Sequence, residues 1–528
     1  MKRPLKFGRS LGTPVVSIVL QLLRQSLATH DVETKADLHH DLDDLELMQR
    51  DARLFTPQSK AGGNHEAFLI PLRRELSPVI RKGKVMSNRA SYSGVIHVGN
   101  PHPQEFRVVF DTGSAHVILP STQCISSACL KHRQYDIQAS QTGVAINLNG
   151  KPVPQGGIGE SVTIGFGTAK ITGDFVRDEV CLGPVQQFAK NETPMLPGPC
   201  ITSHIVTATY MSPRPFEQFK FDGIVGLGLQ SLALHKNFSL FSLLTESKHL
   251  AFPHFGFFLA EGDDGEASEI AIGGHNPRRL LGPLAWVPMA KPELGYWQVQ
   301  ILAVRVDGEL LDICRDGSCH GILDSGTSHL GIPSASSSLL DTMLTTAAGD
   351  ATDCRVVQAP VVVLELQGVN LTLYPENYMR LLPLPADVLA NGNITVSPNS
   401  SLTDAPAQEA DENPGTHEAE EHAEAQADVA EGSLEEQLLC TPKLLPVSWP
   451  EPLGPNIFIL GEPVLQRYYT VFDWGGQRAG FGLAAHLRAP RMEPKEPSRK
   501  NDLPLQDEVI LHQVTLSVRI RRASPCEL

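Results

Sequence analysis

One short pattern occurs twice in this chain. Phe110-Asp111-Thr112-Gly113-Ser114 and Leu323-Asp324-Ser325-Gly326-Thr327 lie 213 positions apart, and each follows a strand-like apolar run. A single Asp-Thr/Ser-Gly is a weak signal in a chain of 528 residues, because Gly and small hydroxyl residues are common. Two copies in matching contexts predict two related halves, each presenting an aspartate at the tip of a tight turn. The glycine after each aspartate lets another backbone approach closely. If the two turns meet, like-charge repulsion leaves one proton shared between the carboxylates over a range of acidic pH. One carboxylate can then activate water while the other protonates a carbonyl oxygen. The titration belongs to the pair, so the sequence does not say which aspartate carries the proton.

The strand evidence agrees with two β-rich halves. Phe106 to Phe110, Val162 to Phe166, Val299 to Val306 and Val361 to Leu373 are rich in β-branched and aromatic residues, while long helical periodicity is scarce. Asp307-Gly308 between Val304-Arg305-Val306 and Leu310-Leu311 is a hairpin signal, since that dipeptide tolerates positive φ at a two-residue turn. The length suffices for two cores. The expected fold class is all-β, with a cleft between two related lobes.

Val108-Val109-Phe110-Asp111-Thr112-Gly113-Ser114, followed by Leu119-Pro120-Ser121, resembles the first lobe of pepsin-like aspartic proteases of the cathepsin D type. Phe221-Asp222-Gly223-Ile224-Val225-Gly226-Leu227-Gly228 is similar to the family's second landmark in that lobe, and Phe458-Ile459-Leu460-Gly461-Glu462 to its counterpart in the second. Ile272-Gly273-Gly274, Trp286-Val287-Pro288, Tyr296-Trp297-Gln298-Val299 and Tyr468-Tyr469-Thr470-Val471-Phe472-Asp473 follow in family order. The resemblance runs from Tyr92 to Leu483. It implies an acid-acting endopeptidase without cofactor or metal, in which Asp111 and Asp324 are catalytic. Thr112 and Ser325 would lock the turns across the lobes, Ser114 and Thr327 would orient the carboxylates, and Gly113 and Gly326 would allow close approach. Partners would be protein or peptide substrates, and a monomer is expected.

Two departures from the family stand out. Phe166, with Gly167 and Thr168, falls on the hairpin that closes over substrate, where relatives usually have tyrosine; Ile118 replaces the usual tryptophan of the first-lobe motif. Losing both hydrogen-bonding partners together strands neither, so we read an apolar variant of the flap. Glu462 stands where relatives commonly have aspartate.

Outside the lobes, residues 1–28 read as a signal peptide: Lys2, Arg3, Lys6 and Arg9 precede an apolar stretch, and Ser26-Leu27-Ala28 has cleavage-site spacing. A transit peptide is the competing reading. Residues 29–90 read as a removable pro-segment in which Phe68-Leu69-Ile70-Pro71-Leu72-Arg73-Arg74 is similar to the opening strand of pepsin-type zymogens, with Lys82 or Lys84 as the cation laid over the carboxylates. The lobes are expected at 91–283 and 284–485. The second contains an insertion at about 386–437 that has twelve acidic residues and no Lys or Arg between Asp404 and Glu436. Such a segment buries too little apolar surface to fold and reads as a solvated surface loop, with a processing loop as the alternative. It supplies most of the net charge of −15, so that charge says little about partners of the core. Residues 486–528 form a tail in which Val509 to Val518 alternates like an edge strand.

The cysteines indicate an oxidising compartment. Cys124 with Cys129, and Cys314 with Cys319, are each five apart, a loop length suited to a disulfide; Cys354 with Cys440 resembles the family's second-lobe bridge, and Cys181 with Cys200 would close the remaining pair. Spacing alone leaves connectivity open, and Cys526 is left over. Zinc is not implied, as neither close pair is a Cys-x-x-Cys. Sequons at Asn191, Asn237, Asn370, Asn393 and Asn399 fit the secretory pathway, ending outside the cell or in a vacuole or lysosome. No apolar run is long enough for a membrane anchor, and no recognised module supports nucleic-acid binding. A catalytically silent binding protein or inhibitor on the same fold stays open, as does a structural protein whose paired turns only pin the lobes.

Overall fold

The computed structural model describes residues 67–81, 84–166, 169–184, 198–261, 265–385 and 438–487. The leader, most of the segment before Phe68, the flap tip Gly167-Thr168, the insertion at 386–437, the tail from residue 488 and Lys82 lie outside them. The architecture is all-β and two-lobed. Four strands open the chain: β1 (Phe68–Arg81), β2 (Lys84–Val98), β3 (Gln104–Asp111) and β4 (Val117–Pro120). Among the described residues no helix is long and apolar enough to cross a membrane.

One 14-stranded sheet joins both lobes. Its order runs Ala285–Pro288, Arg478–Leu483, Tyr468–Asp473, His254–Phe258, Ser268–Ile272, then β1, β2, β3, Gly223–Gly226, β4, Cys200–Met211, Ala169–Leu182 and Val144–Ile146, with Ser161–Phe166 hairpinned onto Ala169–Leu182. An eight-stranded sheet in the second lobe contains His320–Leu323, Ile457–Leu460 and Leu330–Pro333 at its centre.

Strand β3 shows why the sequence forms this sheet. Phe106, Val108 and Phe110 enter the main apolar cluster, while Val109 enters a second cluster with Ile118, Ile164 and Phe166. Its β-branched and aromatic residues therefore meet apolar neighbours on both faces, which explains the near-continuous apolar run. Asp307 and Gly308 have φ of 49° and 79°, the pair of positive values a two-residue turn needs, and they join Val306 to Glu309. The run from Val361 to Leu373 is two strands, Val362–Leu366 and Val369–Leu373, because Gly368 turns the chain at φ 83° between them.

The insertion leaves and re-enters the fold at one place. Leu384 and Pro385 pair antiparallel with Leu439 and Leu438, so its two ends lie side by side in a small three-stranded sheet. The structure bonds Cys124 to Cys129, Cys181 to Cys200, Cys314 to Cys319 and Cys354 to Cys440.

Candidate active site

The two aspartates stand at the ends of equivalent strands, Asp111 as the last residue of β3 and Asp324 directly after His320–Leu323. β3 runs parallel to Gly223–Gly226, with Asp111 opposite Gly226, and β4 returns antiparallel to the same strand. In the second lobe His320–Leu323 runs parallel to Ile457–Leu460, and Leu330–Pro333 returns antiparallel. Each turn thus springs from a three-strand unit whose middle strand ends at a glycine or just before one, Gly226 in the first lobe and Gly461 in the second. A Cβ there would lie 2.4 Å from the His116 nitrogen in the first case and 2.4 Å from the His329 oxygen in the second, so only glycine fits.

The turns interlock through reciprocal bonds. The Thr112 backbone N–H donates to Ser325 Oγ at 3.0 Å, and the Ser325 backbone N–H donates to Thr112 Oγ1 at 2.9 Å. The same hydroxyls donate across the interface, Thr112 to the Leu323 carbonyl at 2.8 Å and Ser325 to the Phe110 carbonyl at 2.7 Å. Both hydroxyls and both amides are satisfied with no water required.

This lock places the carboxylates face to face. A Cβ on Gly113 would lie 2.9 Å from Asp324 Cγ, and one on Gly326 would lie 2.7 Å from Asp111 Oδ1. Each carboxylate is fixed in the same manner. Asp111 accepts from the Gly113 N–H at 3.0 Å and from Ser114 Oγ at 2.5 Å; Asp324 accepts from the Gly326 N–H at 2.7 Å and from Thr327 Oγ1 at 2.7 Å. The side chains are 3% and 1% exposed. Burial, and then the neighbouring Asp324 charge, push the Asp111 carboxyl well above the ordinary carboxylate range. Two carboxylates so placed hold a proton more tightly than an ordinary carboxyl does, which supplies an acid and a base at one point.

The flap strand bears directly on the apolar reading of its sequence. Phe166 ends Ser161–Phe166, is fully buried, and meets Phe216 edge to face with ring centroids 6.1 Å apart. Ile118 is buried in the same cluster. A small recess there is lined by Ile118, His132, Ile171, Met211, Phe216 and Asp222. A second small recess lies beside the second turn between Arg89, Ala90, Ser91, Val109, Phe219 and Gly326.

Several supporting residues have partners that no local pattern announces. Glu462, 3% exposed, accepts from Tyr92 Oη at 2.7 Å, Gln466 Nε2 at 3.1 Å and Arg74 Nη2 at 3.3 Å, with Lys443 Nζ at 3.8 Å. Burial opposes its ionisation, yet the Lys443 and Arg74 charges and the Tyr92 hydroxyl hold its carboxyl below the ordinary range. Arg74 and Glu462 are 388 positions apart, and no local pattern announces that pairing. Trp297 Nε1 donates to the Leu227 carbonyl at 2.8 Å, a further tie between the lobes. His116 follows Asp111 by five positions; its Nε2 accepts from the Leu234 N–H at 3.0 Å, and burial holds it down to about 4.

Comparison with known proteins agrees with the site. Residues 91–383 match the model of the eukaryotic aspartyl protease family. The chain is 28% identical over 399 residues to cathepsin E of Aquarana catesbeiana, covering 74% of this chain and 78% of that protein. It is 33% identical over 315 residues to phytepsin of Hordeum vulgare, covering 59% and 56%, and 28% identical over 395 residues to pepsin A-5 of Mus musculus, covering 75% and 81%. With paired turns from both lobes and a family match over more than half its length, the chain belongs to the eukaryotic aspartyl protease family.

Proposed function

We propose that this protein is an endopeptidase that hydrolyses peptide bonds at acidic pH through a water activated by Asp111 and Asp324. The observation that carries this reading is the pair of buried carboxylates held face to face by the reciprocal Thr112 and Ser325 bonds. The ionised member takes a proton from water as it attacks the peptide carbonyl, while the protonated member donates to the carbonyl oxygen. The tetrahedral intermediate then collapses as the amine leaves with a proton. No covalent bond to the enzyme forms. Ser114 and Thr327 each hold one carboxylate oxygen by a hydrogen bond, so little reorganisation accompanies the proton transfers.

The same reading gives a monomer that enters the secretory pathway behind its N-terminal leader and is made with an N-terminal segment that is removed. Four disulfides support that route, since such bonds persist in oxidising compartments. The alternative, a silent binding protein, draws on one feature: Phe166 is buried among apolar side chains and has no hydroxyl to offer the cleft.

Cleavage of a denatured protein between pH 3 and 7, with and without a statine-type inhibitor, separates the two. Inhibitor-sensitive cleavage that disappears in Asp111→Asn is expected. A folded protein, free of its N-terminal leader, that cuts nothing at any of these pH values would sink the peptidase reading.

A further inference from the structure

We propose that strand β1 is a permanent strand of the mature protein, so that any proteolytic maturation stops short of Phe68 and does not reach the start of the family-matched region at residue 91. The reading of residues 29–90 as a removable unit would place a cut inside β2.

Strand β1 is the seam of the large sheet. Phe68 to Leu72 pair with Ile272 to Ser268, and Arg73 to Arg81 pair with β2. Its loss would leave two facing strand edges unpaired and would divide the sheet between Ser268–Ile272 and β2, with the cost that unpaired backbone carries. The surface that receives it is shaped for its side chains. Ile70 is fully buried and Leu72 is 4% exposed. A Cβ on Gly94 would lie 3.1 Å from both Ile70 and Leu72, one on Gly183 would lie 2.7 Å from Phe68, and one on Gly274 would lie 2.9 Å from Ala67. Gly94 and Gly183 thus make room for this strand, Gly94 also for Phe110 of β3, and Gly274 makes room for Ala67 just before it.

Its polar contacts point the same way. The Arg74 guanidinium reaches Glu462 at 3.3 Å and Tyr92 at 3.1 Å, and Ser77 Oγ donates to the Gln218 carbonyl at 3.1 Å. Removing Arg74 would leave the buried Glu462 carboxylate with Lys443 at 3.8 Å as its remaining cation among the described residues.

Nothing N-terminal could take the vacated place. β1 and β2 are joined by Lys82-Gly83 alone, with Arg81 opposite Lys84. A chain starting at Ser91 starts within β2 and keeps no residues before it to pair with Ser268–Ile272. Such a cut would also remove Ala90, whose carbonyl accepts from Ser328 Oγ at 2.9 Å, and Arg89, which lines the recess beside Gly326.

Intact-mass measurement and N-terminal sequencing of the protein matured in a secretory host and held at pH 4 test this directly. The expected N-terminus lies at or before Phe68 and does not advance with time. A stable, folded species beginning anywhere between Leu69 and Ser91, free of the residues before that start, would overturn it. As a second arm, a site-specific protease sequence inserted between Lys82 and Gly83 is cut in the folded protein. The β1 peptide should co-elute on gel filtration and separate only in denaturant; its release from a chain that keeps its near-ultraviolet circular dichroism would also overturn the proposal. Neither readout needs catalysis, so an inactive protein that retains β1 would count against the peptidase reading alone.

Discussion

The two aspartate turns are near copies at the carboxylates and differ one layer out. Asp111 and Asp324 have the same two kinds of partner, a glycine N–H and a hydroxyl, and each turn reaches a buried histidine five positions after its aspartate, His116 and His329. Behind the first turn, the residue after the middle-strand glycine is Leu227, 2% exposed; behind the second it is Glu462, 3% exposed. Leu227 lies in the main apolar core, and Val109 and Ile118 of the first turn's strands lie in the cluster with Phe166, whereas the second turn rests on a buried carboxylate held by Arg74, Tyr92, Gln466 and Lys443. The difference teaches that the reacting geometry is fixed locally by the short repeat, while each copy is free to be supported by different physics. Removing a support should therefore act on stability, and removing a carboxylate on rate.

The largest effect belongs to the carboxylates. Asp111→Asn or Asp324→Asn should lower kcat by about 10³-fold or more with little change in KM, since each removes a proton-transfer group without removing a substrate contact. Single-turnover cleavage of a fluorogenic peptide checks this, and a loss confined to one turn would break the equivalence of the pair.

Next comes the ionic support. Arg74→Ala should cost about 3–5 kcal/mol in urea unfolding, because it strands a buried carboxylate. The double variant Arg74→Met with Glu462→Leu, which makes the second turn resemble the first, should recover part of that loss. Glu462 is held below its ordinary range, so its stabilisation is present above that range and is lost only as pH falls through the lowered folded value. Mild acid alone should leave this tie intact.

The histidine behind the first turn reports on pH with the opposite outcome. His116 is pushed down from 6.5 to about 4 by burial, so the unfolded chain takes up its proton first. Its contribution is complete above about pH 6.5 and falls by about 3 kcal/mol as pH drops toward 4. His116→Asn should flatten the stability profile in that window, while His204 and His254, each held near 4, keep a residual slope. Urea midpoints at pH 4, 5, 6 and 7 give the comparison.

The smallest effect is expected at the flap. Phe166→Tyr alone places a hydroxyl in an apolar cluster and should cost about 1–3 kcal/mol, with less than tenfold change in kcat/KM. If it instead raised activity tenfold, the apolar flap would be a functional loss and not a coherent variant.

What the sequence announced was whatever is written within a few residues. The paired turns, the Asp307-Gly308 hairpin and the strand character of Phe106 to Phe110 follow from local turn chemistry and apolar pattern. Glu462 stood out as a departure, but the support it forms behind Asp324 was not legible, since Arg74 and Glu462 meet across 388 positions and nothing local pairs them. His116 sits on an apolar run, where a lone histidine looks like any core residue. The strand character of Phe68 to Arg74 was visible from its likeness to a zymogen strand. Its position as the seam of the sheet was not, because its partner Ser268–Ile272 lies far along the chain.

The bridge between Cys354 and Cys440 closes a covalent ring around the acidic insertion, whose ends are also paired at Leu384 and Leu439. A nick anywhere between Pro385 and Leu438 would change the number of polypeptides without changing the number of molecules. The heavy and light pieces would travel together through any non-reducing separation, and only a thiol and a denaturant together would part them.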